Sequence, residues 1–172
     1  MKNLIKLFIL FASGFLFSSA WAQGQVLTPM DVFEMEKASD PQISPDGKRV
    51  LFVRSFADIM TDTRYSNIWI VNSDGSGSRA LTTGNYGDSK PRWSPKGDKI
   101  AYTSNKEGSS EIYVRWMDTG DSRKISNLPK GPTNITWSPD GSQIAFVMLK
   151  ENEAPKIVDM PKAPAGAKWK EG

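Results

Sequence analysis

The 172-residue sequence contains no cysteine and no histidine. Without an imidazole or a thiol it cannot supply a Ser-His-Asp triad, a cysteine nucleophile, a Cys/His zinc site, an iron–sulfur cluster or a His- or Cys-ligated haem. Chemistry carried by the chain itself would fall to carboxylates, Lys, Tyr or Ser. Charge of one sign is also scarce, with 22 Lys plus Arg against 19 Asp plus Glu. Setting aside Lys2 and Lys6, which lie in the leader described next, leaves 20 against 19, a balance that argues against nucleic acid as a partner.

One long apolar run exists. Leu7 to Phe17, broken only by Ser13 and Gly14, follows Lys2 and Lys6 and precedes Ala20-Trp21-Ala22. A basic start, an apolar core and a small-x-small site make a secretory signal peptide over residues 1–22, cleaved after Ala22. An uncleaved anchor is the alternative, but the strongly apolar part is well short of the ~20 residues of a spanning helix. The expectation is therefore a periplasmic or secreted protein with no stable membrane anchor after cleavage. Lipid attachment would need a cysteine, and an exported chain without disulfides must draw its stability from packing.

What the sequence does have is a repeat. Ile43-Ser44-Pro45-Asp46-Gly47, Trp93-Ser94-Pro95-Lys96-Gly97 and Trp137-Ser138-Pro139-Asp140-Gly141 each precede a β-branched or aromatic run, and their serines are 50 and 44 residues apart. That period, with strand content and no helical periodicity, is the signature of propeller blades. An apolar residue ends one strand, Pro presets φ, Asp bonds its own backbone, and Gly takes the positive φ that reverses the chain. The motif is thus a hairpin connection, and Lys96 in place of Asp should weaken the second copy slightly.

Further strands are expected at Asn67–Val71 and Glu111–Trp116, each followed by a turn signal and a short strand, Arg79–Thr82 or Arg123–Ser126. Thr28-Pro29-Met30-Asp31 is a helix start, with Thr as N-cap, Pro in the first turn and Asp against the dipole, and the helix is expected at about residues 29–37. The fold class that results is all-β: a partial β-propeller of about two and a half four-stranded blades with one short N-terminal helix. Its parts are a leader (1–22), an N-terminal segment (23–40), incomplete propeller repeats (41–150) and a Pro/Lys-rich connecting segment (151–172).

Candidate site residues each have a structural reading that is preferred. Asn72, Asp74 and Ser76 beside Gly75 and Gly77 suggest a calcium loop, but lack its closing Glu and fall where a hairpin turn is required. Glu34 with Glu36, and Glu151 with Glu153, are two residues apart and would not face each other on a helix. Trp69, Trp93, Trp116 and Trp137 could stack a sugar or a peptide, yet their recurrence assigns them to the blade core. Ser44, Ser94 and Ser138 have no base to activate them. Asp74-Gly75-Ser76-Gly77-Ser78 is no phosphate loop, since no helix start follows it. Asn134-Ile135-Thr136 matches the glycosylation pattern and is read as the start of a strand. The expectation is no catalytic, cofactor-binding or metal site, and no cofactor.

Closed propellers hold about four to eight blades, so two and a half point to a fragment of a longer protein, with a ring of several copies as the rival. The uncapped outer blades should make the isolated chain marginal and prone to self-association. The repeats resemble the TolB-like (PD40, WD40-like) propeller repeat. The wider run is more specific: Leu27-Thr28-Pro29, Asp40-Pro41-Gln42-Ile43 through Val50, Lys130-Gly131-Pro132 through Pro139, and Met160-Pro161 through Trp169. It is similar to the N-terminal propeller of exported bacterial S9 serine peptidases, the prolyl oligopeptidase and acylaminoacyl-peptidase group. That resemblance implies a propeller that caps an α/β-hydrolase domain and admits peptides to a Ser-Asp-His triad on a G-x-S-x-G elbow. Neither G-x-S-x-G nor S-x-x-K occurs in this sequence, so peptide substrate would be met through a hydrolase domain outside it. The alternative is a TolB-like periplasmic scaffold that binds proteins without an enzymatic domain. A carbohydrate-binding propeller is a third reading and would need exposed tryptophans.

Overall fold

The computed structural model describes residues 27–150; the leader, the 151–172 segment and the Glu151/Glu153 pair lie outside the described residues. The chain divides into two compact units, residues 1–34 and 35–172. In the first, the described part is a single turn of helix, α1 (Asp31–Glu34). Thr28 N–H donates to the Asp31 carboxylate at 2.5 Å, and Asp31 N–H donates to Thr28 O at 3.1 Å. The helix is shorter than the 29–37 its cap signals suggest. Lys37 is already a strand residue, and four residues bury too little to extend a helix that propensity alone leaves marginal.

The second unit holds ten strands in three antiparallel sheets. β1 (Lys37–Ile43), β2 (Arg49–Asp58), β3 (Thr63–Asn72) and β4 (Arg79–Ala80) form the first in simple order. β5 (Ser89–Trp93), β6 (Lys99–Glu107), β7 (Ser109–Trp116) and β8 (Ser122–Lys124) repeat it. β9 (Thr133–Trp137) and β10 (Ile144–Val147) make a third, two-stranded sheet. Each repeat motif joins the first two strands of its sheet, as the turn chemistry requires. The first sheet begins four residues before position 41, because Lys37 and Ala38 pair with Ser55 and Arg54 along the extended part of β2.

The sheets pack face to face. Leu51, Ile68, Ile70 and Leu81 of the first bury against Ile100, Tyr102 and Tyr113 of the second. The other face of the second sheet carries Ala101, Ile112 and Val114, which meet Ile135 of the third. In β2, Leu51 and Val53 are buried while Val50, Phe52 and Arg54 are only half-buried. In β6, Ile100 to Ser104 form an unbroken buried run. The difference is position: a middle sheet is covered on both faces, so alternation disappears. Each fully buried Leu or Ile contributes about 2 kcal/mol from removal of apolar surface from water.

Candidate functional site

The three motif turns share one hydrogen-bond scheme. Ser44 Oγ donates to Asp46 Oδ1 (2.6 Å) and accepts from Arg49 N–H (2.9 Å). Ser138 does the same with Asp140 (2.5 Å) and Gln143 (2.9 Å). In the second turn Lys96 cannot accept, and the carboxylate comes from two residues on: Ser94 Oγ donates to Asp98 Oδ1 (2.7 Å) and accepts from Lys99 N–H (3.1 Å). The weakening expected of Lys96 is thereby offset. Lys96→Asp should shift the urea midpoint by less than about 0.5 kcal/mol in stability, since the hydroxyl is already satisfied. All three serine hydroxyls are committed in this way to their turns.

These bonds hold the turn carboxylates ionised. The Ser44 hydroxyl lowers the Asp46 pKa, the Ser94 hydroxyl that of Asp98, and the Ser138 hydroxyl brings Asp140 to about 2 from the ordinary 3.8. Between the folded and unfolded values the unfolded chain binds more protons. The turns' contribution is therefore complete above about pH 4 and is lost as pH falls through the folded values. Titration of the denaturation midpoint from pH 5 to pH 2 should show a monotonic loss, and Asp140→Asn should flatten it.

Across the sheets, the motifs interlock. Trp93 Nε1–H donates to Gln42 O (3.1 Å), and Trp137 Nε1–H donates to Arg92 O (3.0 Å). Each indole thus ties its own sheet to the carbonyl just before the equivalent position of the preceding one. Beside each rung, the point a Cβ would occupy on Gly97 lies 3.4 Å from Pro45 Cδ, and that on Gly141 lies 3.4 Å from Pro95 Cδ. Glycine is favoured there by its positive φ (69° and 71°), while the proline sits at ordinary van der Waals distance.

The first strand of each sheet is bulged at the same place. Asp40, Lys90 and Asn134, each four residues before a motif serine, have φ of 49°, 55° and 50°, and the pairing register shifts at each bulge. The bulge brings polar groups of neighbouring sheets together. Arg92 Nη1 binds both Asp40 oxygens (3.1 and 2.9 Å), Gln42 Nε2 donates to Asp40 Oδ1 (2.9 Å), and Lys90 Nζ donates to Pro132 O (3.2 Å). A groove of about 300 Å³ runs over these turns, lined by Ile43, Pro45, Trp93, Pro95 and Trp137 among others. A second hollow of about 350 Å³ lies where the third sheet covers the second, against Ile112, Val114, Ile144 and Phe146.

Glu111 is 1 % exposed. It accepts from Ser126 Oγ (2.5 Å), from Leu128 N–H (3.1 and 3.2 Å) and from Ser109 Oγ (3.2 Å). The Ser126 hydroxyl foremost lowers its pKa against the opposing effect of burial. A carboxylate so bonded is a structural clamp on the β8–β9 connection. Burial raises the Tyr113 and Tyr102 phenols, whose rings stack 5.7 Å apart. No three metal-ligating side chains converge among the described residues.

The residues singled out from sequence fall as follows. Asp74 Oδ1 accepts Ser76 N–H and Oγ–H (2.8 and 2.7 Å), and Asn72 Nδ2 donates to Ser76 Oγ (3.0 Å), a self-bonded turn. Glu36 ion-pairs with Arg54, and Glu34 ends α1 in the other unit. Of the tryptophans, only Trp93 and Trp137 occupy equivalent positions. Trp69 lies on the face of the first sheet turned away from the second, under Arg54 (4.5 Å), and Trp116 lies near Arg123 (5.9 Å). Asn134 sits at the third bulge. Sequence reasoning missed the bulges, whose signal was the polar residue four positions before each motif serine.

Repeated four-stranded antiparallel sheets, packed face to face and joined by interlocked turns, define a β-propeller. The chain belongs to the TolB β-propeller domain family, whose model matches residues 30–167. Among curated relatives, the uncharacterized peptidase YuxL of Bacillus subtilis is 34 % identical over 98 residues, 56 % of this chain and 15 % of the relative. Dipeptidyl-peptidase 5 of Porphyromonas gingivalis is 34 % identical over 89 residues, 52 % and 13 %. The Tol-Pal system protein TolB of a Polaromonas species is 30 % identical over 74 residues, 43 % and 17 %. Among solved structures, the acylaminoacyl peptidase of Pyrococcus horikoshii matches with a TM-score of 0.60 and 25 % identity, over 77 % of this chain and 20 % of that one. The β-propeller domain of the Trilobed protease from Pyrococcus furiosus matches with a TM-score of 0.56 and 28 % identity, over 69 % and 35 %. The chain is thus a propeller region related to those of S9 peptidases, and it spans 13–15 % of the length of the two peptidase relatives.

Proposed function

We propose that this chain is the N-terminal part of the propeller of an exported S9-type serine peptidase, and that the propeller gates peptide access to an α/β-hydrolase domain outside the chain. The observation that carries this reading is that the peptidase YuxL and dipeptidyl-peptidase 5 match 56 % and 52 % of the chain against 43 % for the Polaromonas TolB, while the chain covers only a small fraction of each. The local chemistry agrees with a gate. Turn serines and turn carboxylates are bonded to one another, and the polar groups between the first strands are ion-paired or bound to backbone. On this reading the chain has no hydrolytic activity of its own. The leader pattern over residues 1–22 supports export, and among the described residues no helix is long and apolar enough to cross a membrane.

A TolB-like protein-binding scaffold is the second reading, favoured by the match to the Polaromonas TolB. The intact mass of the gene product, taken from the periplasmic fraction and tagged by peptides from residues 23–170, separates the two. The relatives' coverage of 13–15 % sets the expected mass at several times the 19.1 kDa of this chain. Such a species should cleave aminoacyl or acylaminoacyl substrates, and a species of the chain's own mass would overturn the peptidase reading.

A further inference from the structure

The groove over the motif turns holds a guanidinium that is only half engaged. Of the Arg92 donors, Nη1 alone is bonded, to both Asp40 oxygens and to Pro91 O (2.7 Å). The other edge of the fork, Nε–H and Nη2, has no partner among the described residues. Arg92 lines the groove, and its side chain is 30 % exposed. The bonds at Nη1 anchor the planar group, so the free edge is held in place before anything binds.

Around this edge the walls are mostly apolar. Ile43 is 70 % exposed, and the rings of Trp93 and Trp137 line the same groove. Both indole N–H groups are spent on carbonyls of the preceding sheet, so the rings offer the groove apolar surface only. Two polar groups interrupt that surface. The Gln42 side-chain oxygen and the Thr136 hydroxyl belong to lining residues, and neither is hydrogen-bonded among the described residues. The charge is positive: Asp40 and Arg92 cancel, while Lys90, two residues earlier on β5, donates to the neutral Pro132 carbonyl and has no carboxylate partner. A space of about 300 Å³ with apolar walls and a few placed polar groups is the form of a small binding site.

We propose that this groove binds the C-terminal end of a peptide, with the terminal carboxylate on the free edge of Arg92 and an apolar last side chain against Ile43, Trp93 and Trp137. A planar carboxylate matches the two parallel donors of that edge. The backbone amide beside it meets an acceptor in the Gln42 side-chain oxygen and a hydroxyl in Thr136, groups that a plain fatty acid cannot use. All the lining residues belong to this chain, so the inference goes beyond the peptidase reading and does not depend on a hydrolase domain.

The test is calorimetric titration of the full chain with acetyl-Ala-Ala-Phe carrying a free carboxylate, and with the same peptide as its C-terminal amide. The acid should bind about ten- to hundredfold more tightly, the factor a hydrogen bond to a charged group supplies. Equal affinity for the two, or no binding of the acid at millimolar concentration, would overturn the proposal. Octanoate tests the occupant. It carries the carboxylate without the amides and should bind more weakly than the peptide acid, and equal or tighter binding would overturn the peptide as ligand.

Two variants locate the carboxylate. Arg92→Gln should abolish the preference for acid over amide, and a preference that survives would overturn the assignment to Arg92. Should that variant fail to fold for want of the Asp40 pair, Ile43→Glu supplies the second check. Position 43 is exposed and outside the pair, and a carboxylate placed there opposes the one on the ligand. It should weaken the acid about tenfold more than the amide, and an equal loss for both would overturn the proposal. The mass of the gene product is read separately, so failure here leaves the peptidase reading standing.

Discussion

Trp93→Ala should destabilise the fold by about 4 kcal/mol, the largest single effect expected in the described sheets. Three contributions disappear together. The indole packs against the buried cluster between the first two sheets, its N–H ties β5 to Gln42 O, and its ring lies beneath the Arg49 guanidinium at 5.1 Å. Trp93→Phe keeps most of the packing and loses the donor, and should cost about 1 kcal/mol. Urea unfolding of the full chain reads both. A loss below about 1 kcal/mol for the alanine variant would show that the joint is held by the Leu51–Ile68–Ile70 face without help from the indole.

Glu111→Ala comes second, at about 3 kcal/mol, for a different reason. Truncation leaves Leu128 N–H and the Ser126 hydroxyl facing a site from which water is excluded, and an orphaned buried donor costs about 1–3 kcal/mol. Glu111→Gln preserves shape but presents an NH₂ where two donors already point, and should fall between wild type and alanine. The pH dependence separates a charge effect from a packing effect. Because Ser126 foremost lowers the folded pKa of Glu111 below the ordinary 4.5, its stabilisation is complete above that ordinary value. It is lost as pH falls through the folded value. Both variants should flatten the acid limb of a stability titration. An unchanged limb would mean that the carboxylate is not ionised in the fold.

The turns were legible in sequence because their partners are close in the chain. Ser44 meets Asp46 and Arg49 within five residues, so Ser-Pro-Asp-Gly contains most of its own hydrogen-bond scheme. The blades followed from the recurrence of that scheme and the β-branched runs behind it. Lys96 misled because the motif was read position by position, whereas the hydroxyl needs a carboxylate within reach and Asp98 supplies one. The helix was overread from its cap. A good N-terminus cannot extend a helix when the residues beyond it gain more as the paired edge of a sheet.

The joints between sheets were not legible, and the reason is distance along the chain. Arg92 and Asp40 are 52 residues apart, Trp93 and Gln42 51, and Trp137 and Arg92 45. No local pattern encodes which carbonyl an indole will find. Backbone strain is hidden for the same reason, since Asp40, Lys90 and Asn134 take positive φ values that only their packed surroundings justify.

By itself, then, the sequence determined the strand-forming segments, the turns that reverse them and the repeat that makes them blades. Those depend on φ preferences, local hydrogen bonds and a period of two. Tertiary structure alone decided which faces are buried on both sides and how each sheet locks to the next. Those depend on groups brought together only once the sheets have stacked, where the loss of water and the directionality of hydrogen bonds select one register among many.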